Sequence, residues 1–185
     1  MAETKYGKYF LTEPRLREQA NLPPQIAAHK AVLQSGPHFG TSHFSMCWEC
    51  ITQPMVMDPV PHTHDCDEFL AFMGSNAENV FDFDAEIEVW VGEEGEKHII
   101  DKATVFYIPK GLVHCPIIYK RIGKPVLFHV IALTPAYYDS STTKKFFVRK
   151  GERANVIADL KKYIESNYSP ALVENAKAYL KELEQ

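Results

Sequence analysis

The chain has 185 residues, of which 45% are apolar and 12% aromatic, enough for one well-filled core but few for two independent ones. Its 20 Lys and Arg residues stand against 24 Asp and Glu residues, so no positive field attracts a phosphate backbone and nucleic acid is not an expected partner. The opening MAETKYGKYF has no apolar signal-peptide core, and no apolar run reaches the roughly 18 residues of a membrane span, so we expect a cytoplasmic protein without membrane contact.

Four cysteines, Cys47, Cys50, Cys66 and Cys115, should stay reduced in the cytoplasm. The string CWEC, which contains the first two, has the spacing of a redox motif but lies in alternating, strand-like sequence. Residues three apart on a strand face opposite sides. We therefore expect ordinary thiols there, not a thioredoxin-like site.

The chain begins with an irregular arm over residues 1–37. The charged stretch TEPRLREQ favours a short helix, and the following NLPPQ prevents its continuation. We expect this arm to lie across the main domain or across a partner subunit.

Residues 38–135 have the composition of a β domain. Short β-branched and aromatic runs such as HFSMCWECI, EFLAFM and VLFHVIAL are separated by Gly, Pro, Asp and Asn, which predicts an antiparallel sandwich or barrel. The string EVWVGEEGEKHII predicts a hairpin, because GEEGE supplies turn glycines between two strands.

In residues 136–185, apolar residues recur at helical spacing, which predicts two amphipathic helices packed on the barrel. The first series is Val156, Ile157, Leu160, Tyr163 and Ile164, and the second is Leu172, Val173, Ala176, Tyr179, Leu180 and Leu183. Ser169 as N-cap and Pro170 at the first helical position predict the start of the second helix.

The string PHTHDCDEFLAFMG contains candidate metal ligands. On a strand, the spacing of His62 and His64 places both imidazoles on one face, and the polar HDCDE turn can return Glu68 towards them. A histidine pair alone is a weak signal, since single histidines on strands are more often structural.

A second string, YIPKGLVHCPI, strengthens the prediction. Pro109 and Gly111 favour a tight turn that delivers His114 from another hairpin. Three histidines and a carboxylate suit one divalent transition metal ion, such as iron, manganese, nickel or zinc.

Both strings resemble the two sequence motifs of the cupin superfamily over roughly residues 46–133. Six residues match, namely His62, His64, Glu68, Pro109, Gly111 and His114. The departures are Val56 and Ala103 in place of leading glycines, Gly74 one residue early and Ile118 in place of a closing Asn. The resemblance implies a mainly β fold, a double-stranded antiparallel β-barrel of the cupin or jelly-roll type, with the four metal ligands named above.

Two residues are candidates for acid/base or positioning roles. Tyr107 and His129 each lie in otherwise apolar sequence, where a polar side chain is unusual. The alternative for each is a packing residue with a single hydrogen bond.

The resemblance implies a metal-dependent enzyme that acts on a small oxygenated organic molecule, with dioxygenase chemistry preferred over decarboxylase or isomerase chemistry. A non-catalytic module that binds a small molecule or metal is the alternative, and a purely structural zinc is a third reading. Cupin lyases that cleave dimethylsulfoniopropionate place a Tyr where this chain has Leu70, and thiol dioxygenases usually lack the carboxylate ligand, so neither branch is favoured. Dimeric cupins commonly exchange such arms, which predicts a homodimer.

Overall fold

The computed structural model describes residues 5–12, 14, 24–27, 31–34, 39–40, 42–135, 144–166 and 170–185. The helix predicted over TEPRLREQ falls mostly outside these ranges, and so does the Ser169 cap. A short 3-10 helix covers Gly7–Tyr9.

Eleven named strands form two antiparallel sheets over the described residues, which confirms the mainly β prediction. The first sheet contains, in spatial order, β1 (Ala31–Gln34), β2 (Ser45–Ile51), β10 (Val126–Ala132), β5 (Glu68–Gly74) and β8 (Thr104–Ile108). The second contains, in spatial order, β11 (Lys144–Phe146), β4 (His62–His64), β9 (His114–Ile122), β6 (Ala85–Val91) and β7 (Glu96–Ile100), with β3 (Met55–Met57) also paired to β9.

The predicted GEEGE hairpin is confirmed. Strands β6 and β7 pair in register from Ile87↔Ile100 to Val91↔Glu96. Gly92 and Gly95 in the connecting turn have φ values of +79° and +72°, a region that L side chains rarely adopt, so glycine is favoured at both positions.

The core lies between the two sheets because alternate residues on the strands point inwards. Strands β2 and β10 both alternate strictly between buried and partly exposed side chains. Phe72, Tyr119 and Phe128 form an aromatic cluster at the centre, with ring centroids 5.0 to 6.4 Å apart. Each ring of this kind contributes roughly 1.5–3 kcal/mol through burial.

Two helices close the chain as predicted, α1 (Arg153–Ser166) and α2 (Pro170–Leu183). Their apolar faces form a second cluster with sheet residues Val60 and Phe146. The cluster buries Leu160 completely, which ties the helices to the β domain. Neither helix has the length and apolar character needed to cross a membrane.

The sheets extend beyond the domain limits that the sequence predicts. Strand β1 belongs to the predicted arm yet pairs with β2, and Ile26 forms a further bridge to Ile51. Strand β11 belongs to the predicted helical extension yet pairs with β4. Both additions cover sheet edges, which otherwise present unpaired backbone groups.

Candidate metal centre

Two neighbouring strands of the second sheet supply three histidines. His62 and His64 alternate with Thr63 on β4, so both imidazoles point to the buried side, as the spacing predicts. His114 opens β9 and is the register partner of His62. The three side chains are only 1–3% exposed.

The Pro-Lys-Gly turn holds this arrangement in place. Gly111 has φ +83° and donates its N–H to the carbonyl oxygen of His64 at 3.0 Å. Leu112 N–H donates to the Pro109 carbonyl at 3.0 Å, and Lys110 N–H to Asp67 Oδ1 at 2.8 Å. The turn therefore joins the strand that carries His114 to the segment that carries His64 and Glu68.

The side chains converge on one point from both sheets. One nitrogen from each of the three histidine rings lies within 4.8 Å of the others. Glu68, the first residue of β5 in the opposite sheet, places Oε2 3.5 Å from His114 Nε2 and 3.8 Å from His64 Nε2. The carboxylate is 2% exposed, so the cluster is shielded from water.

Backbone hydrogen bonds orient two of the rings. His62 Nδ1 lies 2.8 Å from the Val60 carbonyl oxygen, and His114 Nδ1 lies 3.0 Å from that of Leu112. A carbonyl oxygen only accepts, so each Nδ1 carries the proton and each Nε2 keeps a lone pair. Rings oriented in this way are prepared to bind a metal ion.

Burial keeps these rings neutral. It holds the pKa of His62 well below its ordinary value and lowers that of His114 to about 4. The Lys144 ammonium acts in the same direction on both. Neutral imidazole is the form that ligates metals, so the cluster formed by His62, His64 and His114 can hold a metal ion.

A buried ion pair lies beside the cluster. Lys144, the register partner of His64, places Nζ 2.6 Å from Asp58 Oδ1, and its side chain is only 5% exposed. Burial alone would lower the pKa of Lys144, but the carboxylate of Asp58 outweighs it and holds that pKa above its ordinary value. The ammonium therefore stays charged next to the histidines.

Cys115 follows a candidate ligand and lies within 4.8 Å of donor atoms of Asp58 and His62, a second group that can in principle hold a metal. Burial raises the pKa of the Cys115 thiol well above its ordinary value, and it raises that of Cys66 to about 11. Both thiols are therefore protonated at neutral pH, and the three-histidine group is the better donor set.

The other two candidates lie elsewhere. Tyr107 is 49% exposed and its ring packs on Phe69 on the outer side of β5 and β8, because alternation turns Ile108 inwards and Tyr107 outwards. His129 alternates with the buried Phe128 and packs against Trp48 at 6.2 Å. Neither side chain joins the histidine cluster, and the acid/base or positioning roles of the two residues stay predictions.

Sequence reasoning missed polar residues that the fold buries. Glu49 is 5% exposed, because β2 turns it inwards with Cys47, whose Sγ donates to Glu49 Oε1 at 3.8 Å. The alternation of CWEC could have revealed this. Arg149 is 4% exposed and Lys144 6%, but no local pattern distinguishes them from surface residues.

No family model matches this chain, and no curated protein matches it. Several solved structures are similar. Oxalate decarboxylase from Bacillus subtilis shares 12% identity over 76% of this chain and 34% of that chain, with a TM-score of 0.47. Oxalate oxidase with a bound glycolate shares 17% identity over 97% and 84% of the two chains, with a TM-score of 0.48. KdgF from Halomonas sp. shares 14% identity over 61% and 83%, with a TM-score of 0.40.

This chain spans about a third of the length of the oxalate decarboxylase chain. All three TM-scores lie below 0.5, so nothing about the activity of this chain follows from these matches. The strand topology and the site geometry of this chain are stronger evidence than these matches. The two antiparallel sheets, the turn at Gly111 and the buried histidines facing Glu68 give this chain a two-sheet antiparallel β fold with a candidate metal centre.

Proposed function

We propose that the protein is a metal-dependent enzyme acting on a small oxygenated organic molecule, with dioxygenase chemistry preferred over decarboxylase or isomerase chemistry. The observation that carries the proposal is the convergence of His62, His64 and His114 from one sheet with Glu68 from the other. Such an N,N,N,O donor set suits iron, manganese, nickel or zinc.

Four protein ligands leave positions for a substrate on a metal that prefers five or six. A metal bound there would act as a Lewis acid towards an oxygen of the substrate or would bind dioxygen. The protein contributes the orientation of the rings through the Val60 and Leu112 carbonyls. It also excludes water, because all four candidate ligands are buried.

Elemental analysis of protein purified without added metal or chelator tests the centre. We expect about one transition metal ion per chain, lost in His62→Ala and in His114→Ala. His98→Ala is the matched control, because His98 lies on the same sheet but is 54% exposed. Metal content that survives in both site variants, or no metal and no binding on titration, would reject the ligand assignment.

Activity is tested separately on the metal-loaded protein. Oxygen uptake should be screened on small enols, phenols and keto acids, with His114→Ala as the inactive reference. Uptake that depends on His114 supports dioxygenase chemistry. Turnover of a keto acid or sugar without oxygen uptake would instead favour the decarboxylase or isomerase alternatives.

A non-catalytic binding module is the second candidate. The burial of the candidate ligands favours it, because a metal ion whose coordination positions are all filled by protein can bind or stabilise without catalysing a reaction. X-ray absorption spectroscopy of the loaded protein distinguishes the two. A tetrahedral site with protein ligands only favours the module, whereas five or six ligands including water favour the enzyme.

The homodimer and the cytoplasmic location remain predictions. Strands β7 and β8 each end a sheet and expose apolar side chains, Ile99 on one and Val105 and Tyr107 on the other. Such edges would support association of two copies. Light scattering over a range of protein concentrations measures the oligomeric state.

A further inference from the structure

Arg149 is a buried guanidinium beside the candidate metal centre. It is 4% exposed, and its Nη2 is buried without a hydrogen-bond partner among the described residues. Leaving a charged N–H group in this state is costly, so native proteins rarely keep one unless a partner arrives. The unsatisfied donor indicates an acceptor that binds from outside the chain.

The backbone fixes Arg149 in this position. Its Nε donates to the Gly92 carbonyl at 3.1 Å. A side chain at Gly95 would place Cβ 3.0 Å from the same Nε, so this glycine leaves room for the guanidinium. The hairpin turn therefore contacts the Arg149 side chain at both Gly92 and Gly95.

The same hairpin connects Arg149 to a candidate metal ligand. Gly92 N–H donates to the Val113 carbonyl at 2.8 Å, and the preceding Val91 is the register partner of His114. The positive charge of Arg149 acts on His114 and on Cys115, which agrees with this proximity. The hairpin thus links the guanidinium to the strand that carries His114.

No carboxylate in the described part of the chain pairs with Arg149. Glu94 and Glu152 are near enough to act on its charge, but neither forms an ion pair within 4.0 Å of it. Lys144, the other buried cation, is already paired with Asp58. Among the described residues, Arg149 is therefore the buried cation without an ion pair.

We propose that Arg149 binds the carboxylate of a small organic anion whose other end faces the centre formed by His62, His64 and His114. The proposal rests on the proposed function for the identity of the site. A guanidinium fork matches a carboxylate in geometry and charge. The negative charges of Glu68 and Asp58 offset the positive charges of Lys144 and Arg149. A divalent metal ion would therefore leave the site with a net charge of about +2, which a bound anion would offset.

Malonate and its neutral analogue malonamide test the proposal by calorimetry and thermal melting. We expect the wild-type protein to bind malonate and not malonamide, and Arg149→Gln to bind it at least about 10-fold more weakly. Arg121→Gln is the matched control, because this arginine is 56% exposed and paired with Asp84. It should bind malonate as the wild type does.

The measurements are made on metal-loaded and on chelator-treated protein, together with elemental analysis. Malonate should still raise the melting temperature of chelator-treated wild type and Arg121→Gln, but not that of Arg149→Gln. This comparison decides the role of Arg149 even if the protein binds no metal. Equal malonate binding by Arg149→Gln and Arg121→Gln, or equal responses of the wild type to malonate and malonamide, would overturn the proposal.

Discussion

His62 and His114 are register partners on β4 and β9, and their ring centroids lie 4.4 Å apart with the planes at 64°. Two strands far apart in the sequence thus meet at the point where their imidazoles share one centre. Glu68 approaches from the facing sheet, so the site depends on how the two sheets pack. Changes at the centre should therefore affect both metal binding and stability.

Replacing the carboxylate should weaken metal binding without altering the fold. Glu68→Gln keeps the shape of the side chain but removes the negative charge 3.5 Å from His114 Nε2. We expect metal affinity to fall by about 10-fold or more, measured by competition with a chelator of known affinity. Glu86→Gln, on the exposed side of β6, is the control; equal affinities of the two variants would contradict a role for Glu68.

Acid should destabilise the metal-free protein through the buried histidines. The pKa of His114 is about 4 in the folded protein against an ordinary value of 6.5. Between these two pH values the unfolded chain binds more protons than the folded protein does. The contribution of His114 to the free energy of unfolding is therefore complete above pH 6.5 and is lost as the pH falls towards 4. For His114 alone the loss is roughly 3 kcal/mol.

Urea unfolding of chelator-treated protein at pH 7 and pH 4.5 measures this effect. His114→Gln should show a smaller decrease in the free energy of unfolding than the wild type. His98→Gln, at an exposed position, should behave like the wild type. A wild-type pH dependence in His114→Gln would reject the assignment.

Breaking the buried ion pair should cost stability. Lys144→Met leaves the Asp58 carboxylate without its ammonium partner at 2.6 Å. Because Asp58 is 35% exposed, water offsets part of the loss, and we expect roughly 1–3 kcal/mol by urea unfolding. Lys145→Met, which breaks the exposed pair with Asp65, should cost less than about 1 kcal/mol.

The helices should unfold together with the β domain. Leu160→Ala removes a fully buried side chain from the cluster that joins α1 to Val60 and Phe146. We expect a loss of about 2–5 kcal/mol in one cooperative transition, followed by circular dichroism and tryptophan fluorescence. Lys162→Ala, at a 77% exposed position, should have little effect. Two separate transitions in the wild type would show that the helices form an independent unit.

The local patterns in the sequence were enough to predict the β domain, the two closing helices and the three histidines that cluster. Alternation placed His62 and His64 on one face, and the turn around Gly111 delivered His114 as expected. Helical spacing identified α1 and α2 with their buried faces. These features depend on residues a few positions apart, where chain geometry alone fixes direction.

The sequence did not show towards which side of a strand an individual polar side chain points. Alternation divides a strand into two faces without saying which one is buried, so the sequence did not show that Tyr107 and His129 point away from the histidine cluster. Glu49 was overlooked although the alternation of CWEC places it on the same face as Cys47.

The sequence by itself therefore determined a β domain with a histidine-rich metal motif and two closing helices. Only the tertiary structure decided that Glu68 faces the histidines from the other sheet, and that Lys144 and Arg149 are buried beside them. The reason is physical. Burial of a charged side chain depends on which distant strands cover it, and local composition carries no record of that contact.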